Sequence, residues 1–397
     1  MHIEVYMFFF PWILGTQIGC IACSKMPDEP IGIDTADSGY FDTGSPDTDD
    51  TNDTNDTNDT NDTDTDDTND TNDTNDTNPN DTGGPIQQDG PVFYFEDEVQ
   101  IGGTNMWSNL WPKNNGFFFS TMQNEQVAFR TFNMDLEPTS PLVLVTDTSD
   151  FPPGVQMSDH EMLRLNNALY FVASGFGDED LVIIKTDLQG NRLENYTIQN
   201  QGDNGPACND PHLLLVDEEI CVRWGTSRTN KSIQCFDEQL SPITQSFEIL
   251  MAEPIPQLGY SIQVDNEIWS FTGDAPQRDL IVSKYDVNWR PLNPFTEIIL
   301  QSENSDWNWF PGGVAYHEQY EMWFVVFTHM EDEEEANFDS VVKLAAFDDD
   351  FDLLDVKILS GPGYTRPNLA LVNNEVVVSY DNGNLVWLEK WSIEPVQ

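Results

Sequence analysis

Two histidines, an aspartate, an arginine and a group of tryptophans are the side chains here best suited to chemistry. Asp210, Pro211 and His212 run consecutively, and His160 stands in a corresponding place 52 residues earlier. An aspartate can act as a general base. Two histidines can ligate a transition metal, but a zinc site needs a third ligand at defined spacing, and none accompanies them. His160 and His212 are therefore expected to contact a ligand. Trp107, Trp111, Trp307, Trp309 and Phe310 offer broad apolar faces, and the indoles add a donor, which suits stacking on sugar rings or gripping a side chain. Arg366 can hold an anionic group or bond hydroxyls. The run Glu331, Asp332, Glu333, Glu334 and Glu335 supplies hard carboxylate oxygens of the kind Ca²⁺ takes. Ca²⁺ is thus the one cofactor for which the sequence offers ligands. The plainer reading is that the aromatics pack in a core and the acids solvate a loop. No Gly-rich phosphate loop, serine nucleophile elbow or CxxC redox pair occurs beyond residue 90.

Charge excludes one class of partner. Acids outnumber bases 70 to 16 over 397 residues, for a net charge of −54. Residues 1–90 hold 21 of the acids and a single base, Lys25, leaving 49 acids against 15 bases in the rest. A phosphate backbone would be repelled by either part, so nucleic acid is not an expected partner.

The elements that must position these side chains are short strands. Pro211 to Leu250 reads as four apolar or alternating runs, HLLLV, EICVRW, SIQCF and ITQSFEIL, separated by turn residues. Five further segments follow the same plan. The register mark is the end of each third strand: Phe132-Asn133, Thr186-Asp187, Phe236-Asp237, Tyr285-Asp286 and Phe347-Asp348. Their spacings are 54, 50, 49 and 62 residues. Each Asp or Asn is expected to start a tight turn by bonding its own backbone two residues on, not to do chemistry. Cys221 and Cys235 each lie seven residues from Arg228, the centre of one hairpin. They should face each other across it as a disulfide, with Cys208 free or an alternative partner.

A period near 50 with four strands per unit resembles the β-propeller superfamily from about residue 91 to 397. No WD, Kelch, Tyr-Trp-Thr-Asp or sialidase Asp-box signature names a subfamily. The sixth repeat has three strands, PNLALV, EVVVSY and NLVWLEKW, and Val92 to Gln100 is a strand without a hairpin partner. The resemblance implies a six-bladed, all-β ring closed by that N-terminal strand. It also implies that ligands meet the face built by the segments leading into the innermost strands, which carry the tryptophans and histidines. Asp210-Pro211-His212 further resembles the Asp-Pro-x segment of five-bladed glycoside hydrolases, whose Asp is the general base. Those enzymes need a second carboxyl group across the sugar, and the blade count and the position of Asp210 in the third blade both depart from that family.

Met7 to Gly19 is apolar but short for a bilayer span, and it reads as the core of a secretory signal. Cys20-Ile21-Ala22-Cys23 resembles a bacterial lipobox. Cys23 is the expected acylated residue and Cys20 the alternative; Ser24 after it points to the outer membrane or cell surface. Residues 24–90 form an acidic linker with Asn-Asp-Thr triplets and almost nothing apolar to bury, so disorder is expected. The expected organisation is a signal and lipobox over 1–23, a stalk over 24–90 and a propeller over 91–397. The expected function is an envelope-anchored binding module, monomeric, attached to a membrane by lipid, with a glycan or protein ligand. The alternatives are an exported polysaccharide hydrolase and a structural envelope protein.

Overall fold

The computed structural model describes residues 92–397 apart from 103–105, 148, 152–155, 177–179, 200–210, 226–230, 250–258, 274–278, 303–306, 331–339, 360–364, 383–384 and 395–397. Signal, lipobox and stalk lie outside the described residues, as do Cys208, Asp210 and the Glu331 to Glu335 run.

The described residues form twenty-four strands in six four-stranded antiparallel sheets. Blade one is β2 (Met106–Lys113), β3 (Gly116–Gln123), β4 (Gln126–Asn133) and β5 (Val143–Leu144). Blade two is β6 (Gln156–Leu165), β7 (Ala168–Phe176), β8 (Leu181–Asp187) and β9 (Arg192–Ile198). Blade three is β10 (His212–Val216), β11 (Glu219–Gly225), β12 (Lys231–Phe236) and β13 (Phe247–Ile249). Blade four is β14 (Gly259–Val264), β15 (Glu267–Gly273), β16 (Leu280–Asp286) and β17 (Pro291–Leu300). Blade five is β18 (Trp307–His317), β19 (Met322–Met330), β20 (Ser340–Asp348) and β21 (Leu353–Ile358). Blade six joins β22 (Thr365–Val372), β23 (Glu375–Asp381) and β24 (Leu385–Ile393) to β1 (Phe93–Gly102), the N-terminal strand. The protein is thus a six-bladed propeller closed by its first strand.

The second strand of each blade is buried along nearly its whole length, because a neighbouring blade covers each face. Apolar residues accordingly form six clusters, each shared by two adjacent blades. One holds Phe129 and Phe171 of blades one and two; another holds Phe324 of blade five with Val378 and Trp391 of blade six. Outer strands pack on one side only, and there the predicted runs shrink: PLVLVT contributes just Val143–Leu144 and ITQSFEIL just Phe247–Ile249.

The third strands of blades one to five end in the same turn. The side-chain Oδ1 of Asp187 accepts the N–H of Gln189 (2.9 Å) and of Asn191 (2.8 Å). Asn133, Asp237, Asp286 and Asp348 do the same with residues two and four further on. The third residue past the acid turns left-handed: Leu136, Gly190, Leu240, Trp289 and Phe351, with φ between 55° and 88°. Four of these are large apolar residues in a conformation that side chains disfavour. They remain there because the turn drives them into the space between blades, where each is buried.

Ring closure has its own fastening. Asp355 on β21 accepts the backbone N–H groups of Val92 (2.8 Å) and Phe93 (3.1 Å), and is ion-paired to Lys357 at 2.9 Å. Blade five thereby holds the start of the strand that completes blade six. Cys221 and Cys235 are directly opposite in the β11–β12 register and joined by a disulfide.

Candidate functional site

The innermost strands β2, β6, β10, β14, β18 and β22 converge on the ring axis. Four of them carry β-bulges near one end: between Met106 and Asn109, between Met157 and Asp159, across Trp309 to Gly313, and between Thr365 and Asn368. A bulge re-aims the side chains beside it, and bulges gather next to functional sites for that reason. Trp107 lies within the first of them, at φ 53°. That is a strained conformation for a bulky residue, and its N–H is held by the buried carboxylate of Asp381 in blade six (3.1 Å).

Just below the bulges, polar side chains stitch each blade to the next. Asn368 of blade six accepts the N–H of Leu110 in blade one (2.9 Å) and donates to the carbonyl of Gly312 in blade five (2.8 Å). Asn109 of blade one donates to the His160 carbonyl in blade two (2.9 Å), and Ser120 Oγ lies 3.1 Å from His160 Nε2. Glu161 of blade two accepts the N–H of Leu213 (2.8 Å) and meets His212 Nδ1 at 2.7 Å in blade three. The Ser261 N–H of blade four points at His212 Nε2 (2.9 Å). The Ser261 carbonyl oxygen lies 3.0 Å from the same nitrogen. Between blades five and six the backbones approach too closely for side chains. A Cβ on Gly312 would stand 1.8 Å from the Pro367 carbonyl oxygen, and one on Gly313 2.5 Å from the Leu369 nitrogen.

Above this tier the axis opens into a cavity of about 60 Å³ lined from all six blades, by Trp107, Glu161, Arg223, Tyr260, Gly312 and Asn368 among others. Arg223 reaches it from β11, 3 % exposed, donating through Nη1 to Ser261 Oγ (2.7 Å) and Ser270 Oγ (2.9 Å) and through Nη2 to the Gly259 carbonyl. Burial pulls its pKa down to about 10, with Glu161 and Tyr285 pushing the other way, so it stays cationic at neutral pH. Lys231 also lines the cavity and is buried. Burial, helped by Glu161, raises the Tyr260 hydroxyl, which stays protonated; its ring lies 4.5 Å from that of His212.

The expected site residues distribute unevenly over this geometry. His160 and His212 do line the cavity, yet both are spanners between blades, 1 % and 2 % exposed. Among the described residues the only three-ligand group is Glu219 with Cys221 and Cys235, whose sulfurs are already bonded to each other. Trp107 lines the cavity but belongs mainly to the core between blades one and two, and Trp111 packs against the cores on both sides of blade two. Trp307, Trp309 and Phe310 fall on β18 and Arg366 on β22, within strands and not in the loops before them. Asn109, Glu161, Arg223 and Lys231 were not singled out as site residues by sequence. The available signal was Arg223 itself, a charge in the otherwise buried strand EICVRWG.

No protein-family profile matches the chain, and no curated protein matches it. Solved structures similar to it include a member of the DUF4221 family from Bacteroides vulgatus, at TM-score 0.47 and 10 % identity, covering 76 % of this chain and 98 % of that one. A subtype N10 neuraminidase-like protein of A/little yellow-shouldered bat/Guatemala/060/2010 has TM-score 0.45 and 8 % identity, covering 75 % of this chain and 99 % of that one. A bifunctional GH43-CE protein of Bacteroides eggerthii has TM-score 0.43 and 13 % identity, covering 76 % of this chain and 42 % of that one.

Proposed function

We propose that this protein is an exported binding module, acylated at Cys23 and carried on its acidic stalk, whose propeller takes a ligand at the axial cavity. The observation that carries the reading is the convergence of all six innermost strands on one small, polar, partly aromatic cavity. A purely structural ring has no need to keep Arg223 and Lys231 buried beside an open space. Hydrolysis is less well supported. The two described carboxylates of the lining, Asp159 and Glu161, both come from β6, so neither faces the other across the cavity as glycoside hydrolysis requires. Glu161 is moreover engaged by His212 and the Leu213 N–H.

The test is a panel of neutral and acidic saccharides and short peptides, titrated calorimetrically into the full chain and into its Tyr260→Ala variant. A saccharide or peptide that binds the parent should lose at least tenfold in affinity in the variant. Release of reducing sugar on incubation with the saccharides would favour the hydrolase, and absence of any binding from either class would favour the structural ring.

A further inference from the structure

On the wall of the axial cavity, Arg223 forms no contact ion pair among the described residues. Arg223 is almost fully buried, and the three oxygens it bonds, Ser261 Oγ, Ser270 Oγ and the Gly259 carbonyl, are all neutral. Among the described residues no carboxylate lies within ion-pair distance of it. Its neighbour Glu161 acts on it only at longer range, and that carboxylate is occupied by His212 and the Leu213 N–H. A guanidinium has more N–H groups than these three bonds use, so Nε–H and one Nη2–H remain. Buried charges are ordinarily paired, because desolvation without a counter-charge is strongly unfavourable. Here the unpaired cation sits on the wall of a cavity, in a chain whose net charge is −54 and which has only 16 basic residues to place.

We infer that the cavity is a subsite for a monoanionic carboxylate, received by Arg223. This deepens the binding reading above and rests on it. Size agrees with a single group. About 60 Å³ is well under the roughly 150 Å³ that accepts a benzene ring. The cavity thus takes the carboxylate of a ligand whose remainder lies above the mouth. A planar carboxylate matches the fork of a guanidinium. A dianion such as phosphate fits less well, because Asp159 and Glu161 share the lining and would repel the second charge.

The experiment compares glucuronate, its neutral methyl ester, glucose and acetate by calorimetry on the full chain, at constant pH and at ionic strength fixed with sodium chloride. Glucuronate should bind at least tenfold more tightly than its methyl ester, and Arg223→Gln should remove that preference. Binding of acetate with a similar charge dependence would show that the carboxylate alone suffices; binding of glucuronate alone would show that the sugar ring contributes. Either outcome supports the subsite. If ester and acid bind alike, or glucose binds and no carboxylate does, the inference fails while the binding reading stands. If none of the four binds, the inference fails too, and the wider panel decides the binding reading separately. The comparison of acid with ester uses the parent protein only, so it holds even if Arg223→Gln does not fold.

Discussion

Glu389 is a buried acid whose pKa the fold raises. It lies on β24, 4 % exposed, and its Oε2 accepts the Trp391 indole N–H at 3.0 Å. Its Oε1 meets the Tyr380 hydroxyl, which is also 3.0 Å from the Leu359 carbonyl. The hydroxyl donates to the carboxyl oxygen, as the indole does. Burial raises the Glu389 pKa to about 7; the two hydrogen bonds oppose the shift, and Glu98, directly opposite on β1, adds to it. Between the ordinary carboxyl value of 4.5 and about 7, the folded state keeps a proton that the unfolded chain has released. Stability therefore falls as pH rises through that window, by about 1.4 kcal/mol per unit at most. Glu389→Gln should raise the thermal midpoint relative to the parent at pH 8 and leave the difference near zero at pH 4.5. A parent-minus-variant difference that does not change with pH would refute the raised pKa.

Among the elements, β1 has the largest task. It pairs with β24 from Phe93↔Ile393 to Gly102↔Leu385 and so removes the free edge of blade six. Removing residues 90–102 would uncover β24, whose Leu385 to Ile393 stretch is long and apolar, and such edges template aggregation. That deletion should give soluble aggregates and a depressed midpoint by size-exclusion chromatography and calorimetry. Removing residues 34–81, from the stalk, should leave the midpoint almost unchanged, because a chain with so little to bury makes few stabilising contacts. Equal behaviour of the two deletions would contradict the closing role of β1. The fastening by Asp355 shows why closure is specific: two backbone N–H groups at the start of β1 have a carboxylate on blade five as their partner.

At the scale of the whole molecule, the proposal is a rigid ring on a charged tether. A flexible chain of the stalk's length spans roughly 5–6 Å times the square root of its residue number, on the order of 40 Å, and like charges lengthen it. Acylation at Cys23 is the premise that turns tether into anchor. Cys23→Ala should abolish labelling by a fatty-acid analogue and move the protein from the membrane to the soluble fraction. Labelling that survives Cys23→Ala but is lost in Cys20→Ala would move the site to Cys20, and an unlabelled parent would end the lipoprotein reading.

What the sequence determined by itself was everything set by local periodicity. The apolar runs, the 49- to 62-residue spacing and the Asp or Asn after each third strand all depend on neighbours within a few residues, so the blade number and the turns were legible. Cys221 and Cys235 were legible for the same reason, since one hairpin centre places them opposite each other. The unpaired first strand and the incomplete sixth repeat likewise implied ring closure. The cavity was decided only in three dimensions. Its lining comes from six segments far apart in the chain, and whether an inner-strand residue faces the axis or the next blade depends on a bulge that shifts the register by one position. Trp107 read as a stacking platform and is mainly core, whereas Arg223 stood unremarked within the run EICVRW and is a cation on the cavity wall. A strand alternates two faces, but in a propeller both faces are covered by other blades. Polarity along the sequence therefore does not say which side chains reach the one open space at the centre.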